Sequence, residues 1–266
     1  MKKILLIGAN SYIGKSFENY IKNVNGTYIQ IDKVSAANGQ WKSVDLSLYD
    51  SIVMLSAIVH HKEHKYMKEL YMEVNCKLPV QIAINAKNAG VKQFIFLSTA
   101  AVYGSQNEKI TIESTPQPET LYGLSKFEAE KQLNALRSDN FKIAIIRSPK
   151  VYGEGCKGNF SKLEKFIMHV PIFPNFHNKQ SMIHIENLCE HIKYLIDNIS
   201  DGLFLPQDNT YMDIANFVVE MRAKKGKKTI LIPGFTWMIR IAMKYSSTVK
   251  KVFGDFYYAE NKEKNP

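Results

Sequence analysis

The chain has 266 residues, 45% hydrophobic and 23% charged, which suits one large soluble domain or a domain with a small appended lobe. Its three cysteines, Cys76, Cys156 and Cys189, share no Cys-x-x-Cys spacing, which argues against a disulfide framework or a zinc site and for a reducing cytoplasm. The net charge is +10, and from Glu220 onward 11 Lys and Arg stand against 4 Asp and Glu, so +7 of it lies at the C-terminal end, where it suits an anionic partner or a solvated helix face.

"KKILLIG" at the start reads as a buried strand; its apolar run is too short for a signal peptide, and no stretch of the chain is apolar for long enough to span a membrane. "YIGKSFENYIKNV" has helical spacing, "TYIQID" is a second strand closed by Asp32, and "DSIVMLSA" is a third. "PVQIAINAKNAG" is a helix ending on Gly90, followed by the strand "KQFIFLST", the helix "SKFEAEKQLNAL" and the strand "FKIAIIRS". This alternation predicts an α/β fold with a doubly wound parallel sheet. The texture changes after "PKVYGEG", so we expect a dinucleotide-binding domain over 1–155 and a smaller substrate lobe over 156–266, with the helix at 184–199 packing back on the first domain.

Gly8 and Gly14 stand between the first strand and the first helix, one for a tight turn and one for close helix packing, with Ser11 where a middle glycine is usual. A pyrophosphate would rest on the helix N-terminus, and Asp32 would accept hydrogen bonds from the adenosine ribose, which favours NAD over NADP.

Three Tyr-Gly pairs follow, at Tyr103, Tyr122 and Tyr152. Lys126 stands four residues after Tyr122, on the same helical face, where an ammonium lowers a phenol's pKa and makes it a general acid/base. Tyr103 and Tyr152 lack such a lysine and read as packed rings at turns.

With "GANSYIG", "GVKQFIFLSTAAVYG", "YGLSK", "RSPKVYG" and "SMIHIENL" in view, the chain resembles an extended short-chain dehydrogenase/reductase of the NAD-dependent epimerase/dehydratase family. The resemblance implies a catalytic set of Thr99, Tyr122 and Lys126, the lysine also binding the nicotinamide ribose. It implies Tyr12 and Ile13 at the pyrophosphate, Asp45 and Leu46 at the adenine, Ser56, Ala57 and Asn75 lining the cleft, and Pro149 near the nicotinamide. It also implies a homodimer formed through segments near 67–89 and 120–136. The pattern departs at Lys150, where Asn is usual, and at Gln180, where many relatives place a phosphate-binding Arg beside Lys179; Lys150, Lys179 and Gln180 are the expected substrate contacts.

The expected activity is 4-epimerisation of a nucleotide- or polyprenyl-diphosphate-linked hexose or N-acetylhexosamine. The alternatives are 4-ketoreduction of a nucleotide sugar and a catalytically silent dinucleotide sensor, which has no need of the intact Thr99, Tyr122 and Lys126. "FTWMIRIAMKYSSTVKKVF" spaces Trp237, Ile241 and Tyr245 by four among basic residues, which suits either packing into the lobe or peripheral contact with the inner face of a membrane. Neither the histidines of "HHKEH" (His60, His61, His64) nor "KKGKK" at 224–228 is read as a metal or nucleic-acid site.

Overall fold

The computed structural model describes residues 1–24, 26, 28–59, 64–105, 108–156 and 167–259, so His60 and His61 lie outside the described residues. The first half runs β1 (Lys2–Ile7), α1 (Tyr12–Asn23), β2 (Ile29–Val34), β3 (Ser51–Met54), α2 (Lys68–Met72), α3 (Leu78–Asn88), β4 (Gln93–Thr99), β5 (Lys109–Ile110) and α4 (Leu121–Asn134). The second half runs β6 (Lys142–Ser148), β7 (Lys150–Tyr152), β8 (Ile172–Pro174), β9 (Met182–His184), α5 (Ile185–Asp197), β10 (Gly202–Phe204), α6 (Ile214–Ala223), β11 (Ile230–Ile232), α7 (Thr236–Tyr245), α8 (Ser247–Phe253) and β12 (Tyr257–Tyr258).

Ile4 to Ile7 are all buried, as a strand requires when helices cover both faces of its sheet. Ile4 and Leu6 pack with Phe17 of α1 and with Leu188, Ile192 and Leu195 of α5. Leu5 and Ile7 face the opposite layer, with Ile82 and Ala83 of α3 and Ala129 and Leu133 of α4. The sheet is parallel, in the order β10-β6-β4-β3-β1-β2. From β1 the chain goes to β2 on one side and, through β2, to β3 on the other. That reversal opens a crevice at the carboxyl ends of the strands, the usual ligand position in such a sheet.

Four features differ from the pattern read along the chain. β2 does not close at Asp32: Lys33 and Val34 continue the ladder opposite Leu6 and Ile7. α4 begins at Leu121 rather than Ser125, because Thr120 Oγ1 caps it by accepting Gly123 N at 3.0 Å. The segment after 155 returns to the sheet twice, with α5 as expected and also with β10, which pairs with β6. The last basic stretch is two helices, broken at Ser246, whose Oγ accepts Val249 N at 3.3 Å.

The lobe has its own core of Ile167, Phe173, Phe176, Ile214, Val218 and Ile239, with Phe253 stacked on Phe173 at 5.8 Å.

On α5, His191 is buried against Tyr194 and Phe204, and its Nε2 has no hydrogen-bond partner among the described residues. Burial brings its pKa down to about 4. The folded protein thus holds this ring neutral, while the unfolded chain takes up its proton below about 6.5. Stability should therefore fall between about pH 6.5 and pH 4, by roughly 1 kcal/mol per pH unit from this group. Urea melts at pH 7 and pH 5 on wild type and His191→Phe measure it; an equal acid loss in both proteins would contradict the assignment.

Candidate active site

β1 runs into Gly8, which has φ +96°. A Cβ there would lie 2.6 Å from both the backbone N and the Oγ of Ser56, so only glycine lets this turn press against the end of β3. A Cβ on Gly14 would meet Ala9 Cα and Gly8 O at 2.7 Å, so its absence seats α1 directly on the turn. Ser11 is the N-cap of α1, with its Oγ accepting Gly14 N at 3.1 Å. The serine that stands in place of a middle glycine thus has a local task. The amides of Tyr12 and Ile13 begin the helix without an acceptor one turn back, at the positive end of its dipole. The Tyr12 ring itself packs on the turn after β7, with its hydroxyl 3.1 Å from where a Gly153 Cβ would stand. That leaves backbone amides, not the phenol, to face a pyrophosphate.

Asp32 pairs in register with Leu5. Its carboxylate accepts the Tyr49 hydroxyl at 3.0 Å and lies 3.3 Å from Lys3 Nζ, and the Tyr49 bond and then Lys3 hold it below the usual carboxylate range. Asp45 caps the short turn Leu46–Leu48, accepting Ser47 N at 3.0 Å and Ser47 Oγ at 2.6 Å, while Leu46 is buried. Ser56 and Ala57 follow β3 and are half-buried. Asn75 is fully buried in a π-helical turn, Glu73–Lys77, between α2 and α3. Its Oδ1 accepts Ile58 N at 2.8 Å, and its Nδ2 donates to Ile58 O at 3.1 Å and to Ser125 Oγ at 3.2 Å. It therefore ties the segment after Ser56 and Ala57 to α4.

Thr99 ends β4, and its Oγ1 accepts Ala101 N at 3.1 Å, starting the turn Ala100–Tyr103. A Cβ on Gly123 would come within 2.6 Å of Ala101 O, so the bare glycine brings the N-terminus of α4 onto that turn. The approach lets the Tyr122 phenol hydrogen-bond the Thr99 side chain. Lys126, one helical turn later, is 1% exposed and holds its Nζ 3.8 Å over the Phe96 ring. Burial pushes Tyr122 up to about 12, with the Thr99 bond opposing, and burial brings Lys126 down to about 7. The expected lowering of the tyrosine by the lysine is thus absent from this structure. Desolvation, which favours the neutral form of each group, is the largest influence on both.

The other two tyrosines are engaged elsewhere. Tyr103 is buried and accepts Arg147 Nη1 at 2.7 Å; Arg147 makes a buried pair with Glu130 (Nη2 to Oε2, 2.6 Å). Ser98 donates to the same Glu130, and the Tyr258 hydroxyl donates to Arg147 O at 2.7 Å. Sequence reasoning missed this network, which reaches the turn Ala100–Tyr103 through Tyr103. Its one linear signal is the placement of Glu130 four residues after Lys126, on the same helical face. Tyr152 hydrogen-bonds Asp208 and meets His184 edge-on at 5.2 Å.

The three expected substrate contacts divide. Gln180, 2% exposed, donates its Nε2 to the carbonyls of Val252 at 3.1 Å and Gly254 at 2.9 Å, closing the C-terminus of α8. Lys150 donates to Gln180 Oε1 and to Lys251 O at 3.2 Å, a cation at a helix C-terminus. Lys179 is exposed, its Nζ 5.7 Å from the Tyr257 ring centre.

The model of the NAD dependent epimerase/dehydratase family matches residues 4–203, from β1 through β10. The chain belongs to the NAD dependent epimerase/dehydratase family. The UDP-glucose 4-epimerase of Vibrio cholerae is 29% identical over 90% of this chain and 81% of its own length. The N-acetyl-alpha-D-glucosaminyl-diphospho-ditrans,octacis-undecaprenol 4-epimerase of Escherichia coli O157:H7 is 27% identical over 85% and 73% respectively. Among solved structures, a dTDP-4-dehydrorhamnose reductase from Clostridium acetobutylicum superposes with a TM-score of 0.69 at 20% identity, covering 87% of this chain and 83% of the other. As a family member the chain is an NAD(P)-dependent enzyme, with NAD as its cofactor. The tight turn that Gly8 and Gly14 permit presents the first amides of α1 at the positive end of the helix, a donor set that fits a dinucleotide's pyrophosphate.

Proposed function

We propose that this enzyme is a 4-epimerase acting on a hexose or N-acetylhexosamine carried on a diphosphate, the carrier being a nucleotide or a polyprenyl chain. The observation that carries the reading is the Thr99–Tyr122 contact with Lys126 one turn further along the same helix. The names of the two curated relatives support it, since both are 4-epimerases. In this reading Tyr122, as the phenolate, takes the proton of the sugar C4 hydroxyl while Thr99 hydrogen-bonds that oxygen, so the phenol must first lose its proton against the burial that holds it neutral. NAD, when bound, accepts the C4 hydride and returns it. The 4-keto sugar turns over in the site between the two transfers, and Tyr122 returns the proton, so the cycle has no net redox change. Lys126, one turn further along the helix, is assigned the nicotinamide ribose, and its ammonium, when protonated, favours the phenolate. Tyr12 and Ile13 amides hold the pyrophosphate, Asp32 the adenosine ribose, Asp45 and Leu46 the adenine, and Ser56, Ala57, Asn75 and Pro149 the remaining walls.

Incubation with UDP-N-acetylglucosamine, or its undecaprenyl-diphosphate counterpart, without added reductant should yield the C4 epimer. A second reading, 4-ketoreduction, draws on the commitment of Lys150 and Gln180 to the end of α8. With those side chains withdrawn, a weakly anchored diphosphate suits one-face reduction better than turnover of an intermediate. Inertness in the first assay, with stoichiometric NAD(P)H oxidation on a 4-keto-6-deoxy nucleotide sugar, would establish the reductase.

The proposal includes a homodimer through α2–α3 and α4, where Tyr66, Leu70 and Ile84 are exposed apolar residues near or within the paired segment. A sedimentation mass of one chain at micromolar concentration would count against it. It also places the enzyme in the cytoplasm, at the inner face of the membrane.

A further inference from the structure

α7 has one covered face and one open one. Ile239 and Met243 pack into the lobe core, whereas Trp237, Met238, Ile241 and Tyr245 are 63%, 47%, 48% and 86% exposed. At 100° per residue the four exposed side chains form one contiguous stripe, and Lys244 and Arg240 lie along its edge, both exposed. The surrounding sequence is one-signed: residues 221–254 contain nine Lys and Arg and no Asp or Glu.

From this face we infer that α7 docks on an anionic phospholipid surface. The stripe supplies apolar and aromatic groups that settle at the headgroup boundary, and Lys244 and Arg240 meet lipid phosphates there. A second copy is the poorer occupant, because a two-fold contact through this face sets the same cations against each other. Ten residues are too few to cross a bilayer, so the helix lies on the surface. The face is also tied to the segment that enters the proposed site. α8 follows α7 after one residue, and its C-terminal carbonyls are held by Gln180 and by Lys150, the neighbour of Pro149. Docking therefore fixes the orientation of the crevice relative to the lipid. The inference deepens the proposed reading and rests on it only for what the surface serves, a sugar whose diphosphate carrier is itself in the membrane.

Flotation of the full chain with vesicles rich in phosphatidylglycerol, set against pure phosphatidylcholine, tests it. Wild type should float with the anionic vesicles, less with the zwitterionic ones, and less in high salt. Trp237→Glu/Ile241→Glu should weaken retention by about tenfold or more, and Arg240→Glu/Lys244→Glu should do so selectively on anionic vesicles. All four positions are exposed, so turnover of soluble UDP-N-acetylglucosamine should be unchanged in both variants. Wild type that stays with the soluble fraction, or a Trp237→Glu/Ile241→Glu protein that floats as well as wild type, overturns the inference. So does a wild-type dimer that the variant converts to monomer without vesicle binding by either. A protein that floats yet turns over no sugar leaves the docking surface standing and removes the epimerase reading alone.

Discussion

Tyr122→Phe should lower turnover by roughly two to four orders of magnitude, the usual worth of a positioned general acid/base, while NAD still binds. The substitution deletes one oxygen, the one that meets the Thr99 side chain at the carboxyl edge of the sheet. It leaves the ring, the Thr120 cap and the close approach of Gly123 to Ala101 intact. Tyr103→Phe and Tyr152→Phe also remove phenol oxygens, but ones given to Arg147 and Asp208. Those variants should lose stability, about 1–3 kcal/mol where a charged group loses its partner, and retain most of their turnover per folded molecule. Steady-state rates at saturating substrate, with bound NAD measured in parallel, distinguish the cases. Equal loss of turnover in all three would remove the assignment of Tyr122.

The second large effect is on folding. Arg147→Leu should destabilise the protein by about 3–5 kcal/mol, because it leaves the Glu130 carboxylate buried opposite an alkyl chain. It also strands the Tyr103 phenol and removes the guanidinium that lies 4.8 Å over the Tyr103 ring. The double variant Glu130→Leu/Arg147→Leu should recover part of that loss, since a buried pair replaced by apolar groups costs far less than a broken one. The recovery stays incomplete because Ser98 and Tyr103 still lack their partners. Urea denaturation of the four proteins of the cycle measures the coupling. A single variant as stable as wild type would mean that the pair contributes nothing to the fold.

These two residues mark how far linear reading reaches. Tyr122 stands out among three Tyr-Gly pairs because Lys126 follows it on the same helix, and helical period alone sets which side chains share a face. Gly8 and Gly14 were legible for a similar reason, since a strand-turn-helix joined by glycines is a local object. The buried runs at Ile4–Ile7 and Phe94–Phe96 likewise dictated a sheet covered on both sides.

What spans distant segments was not legible. The Glu130–Arg147 pair joins residues 17 apart across a helix and a strand, and the Tyr258 bond to Arg147 O spans 111 residues. Gln180 and Lys150 read as substrate contacts, but the fold brings the end of α8 to them, and buried carbonyls there require donors. The expected lowering of the Tyr122 pKa by Lys126 assumed that charge attraction prevails. Packing around α4 decided otherwise, because desolvation depends on how much of the protein surrounds a group, a quantity no local spacing encodes. Sequence by itself determined the period, the turns and the residue types offered to the proposed site. The tertiary structure alone decided which polar groups are buried together and which face of α7 stays open, because burial depends on segments that meet only in the folded chain.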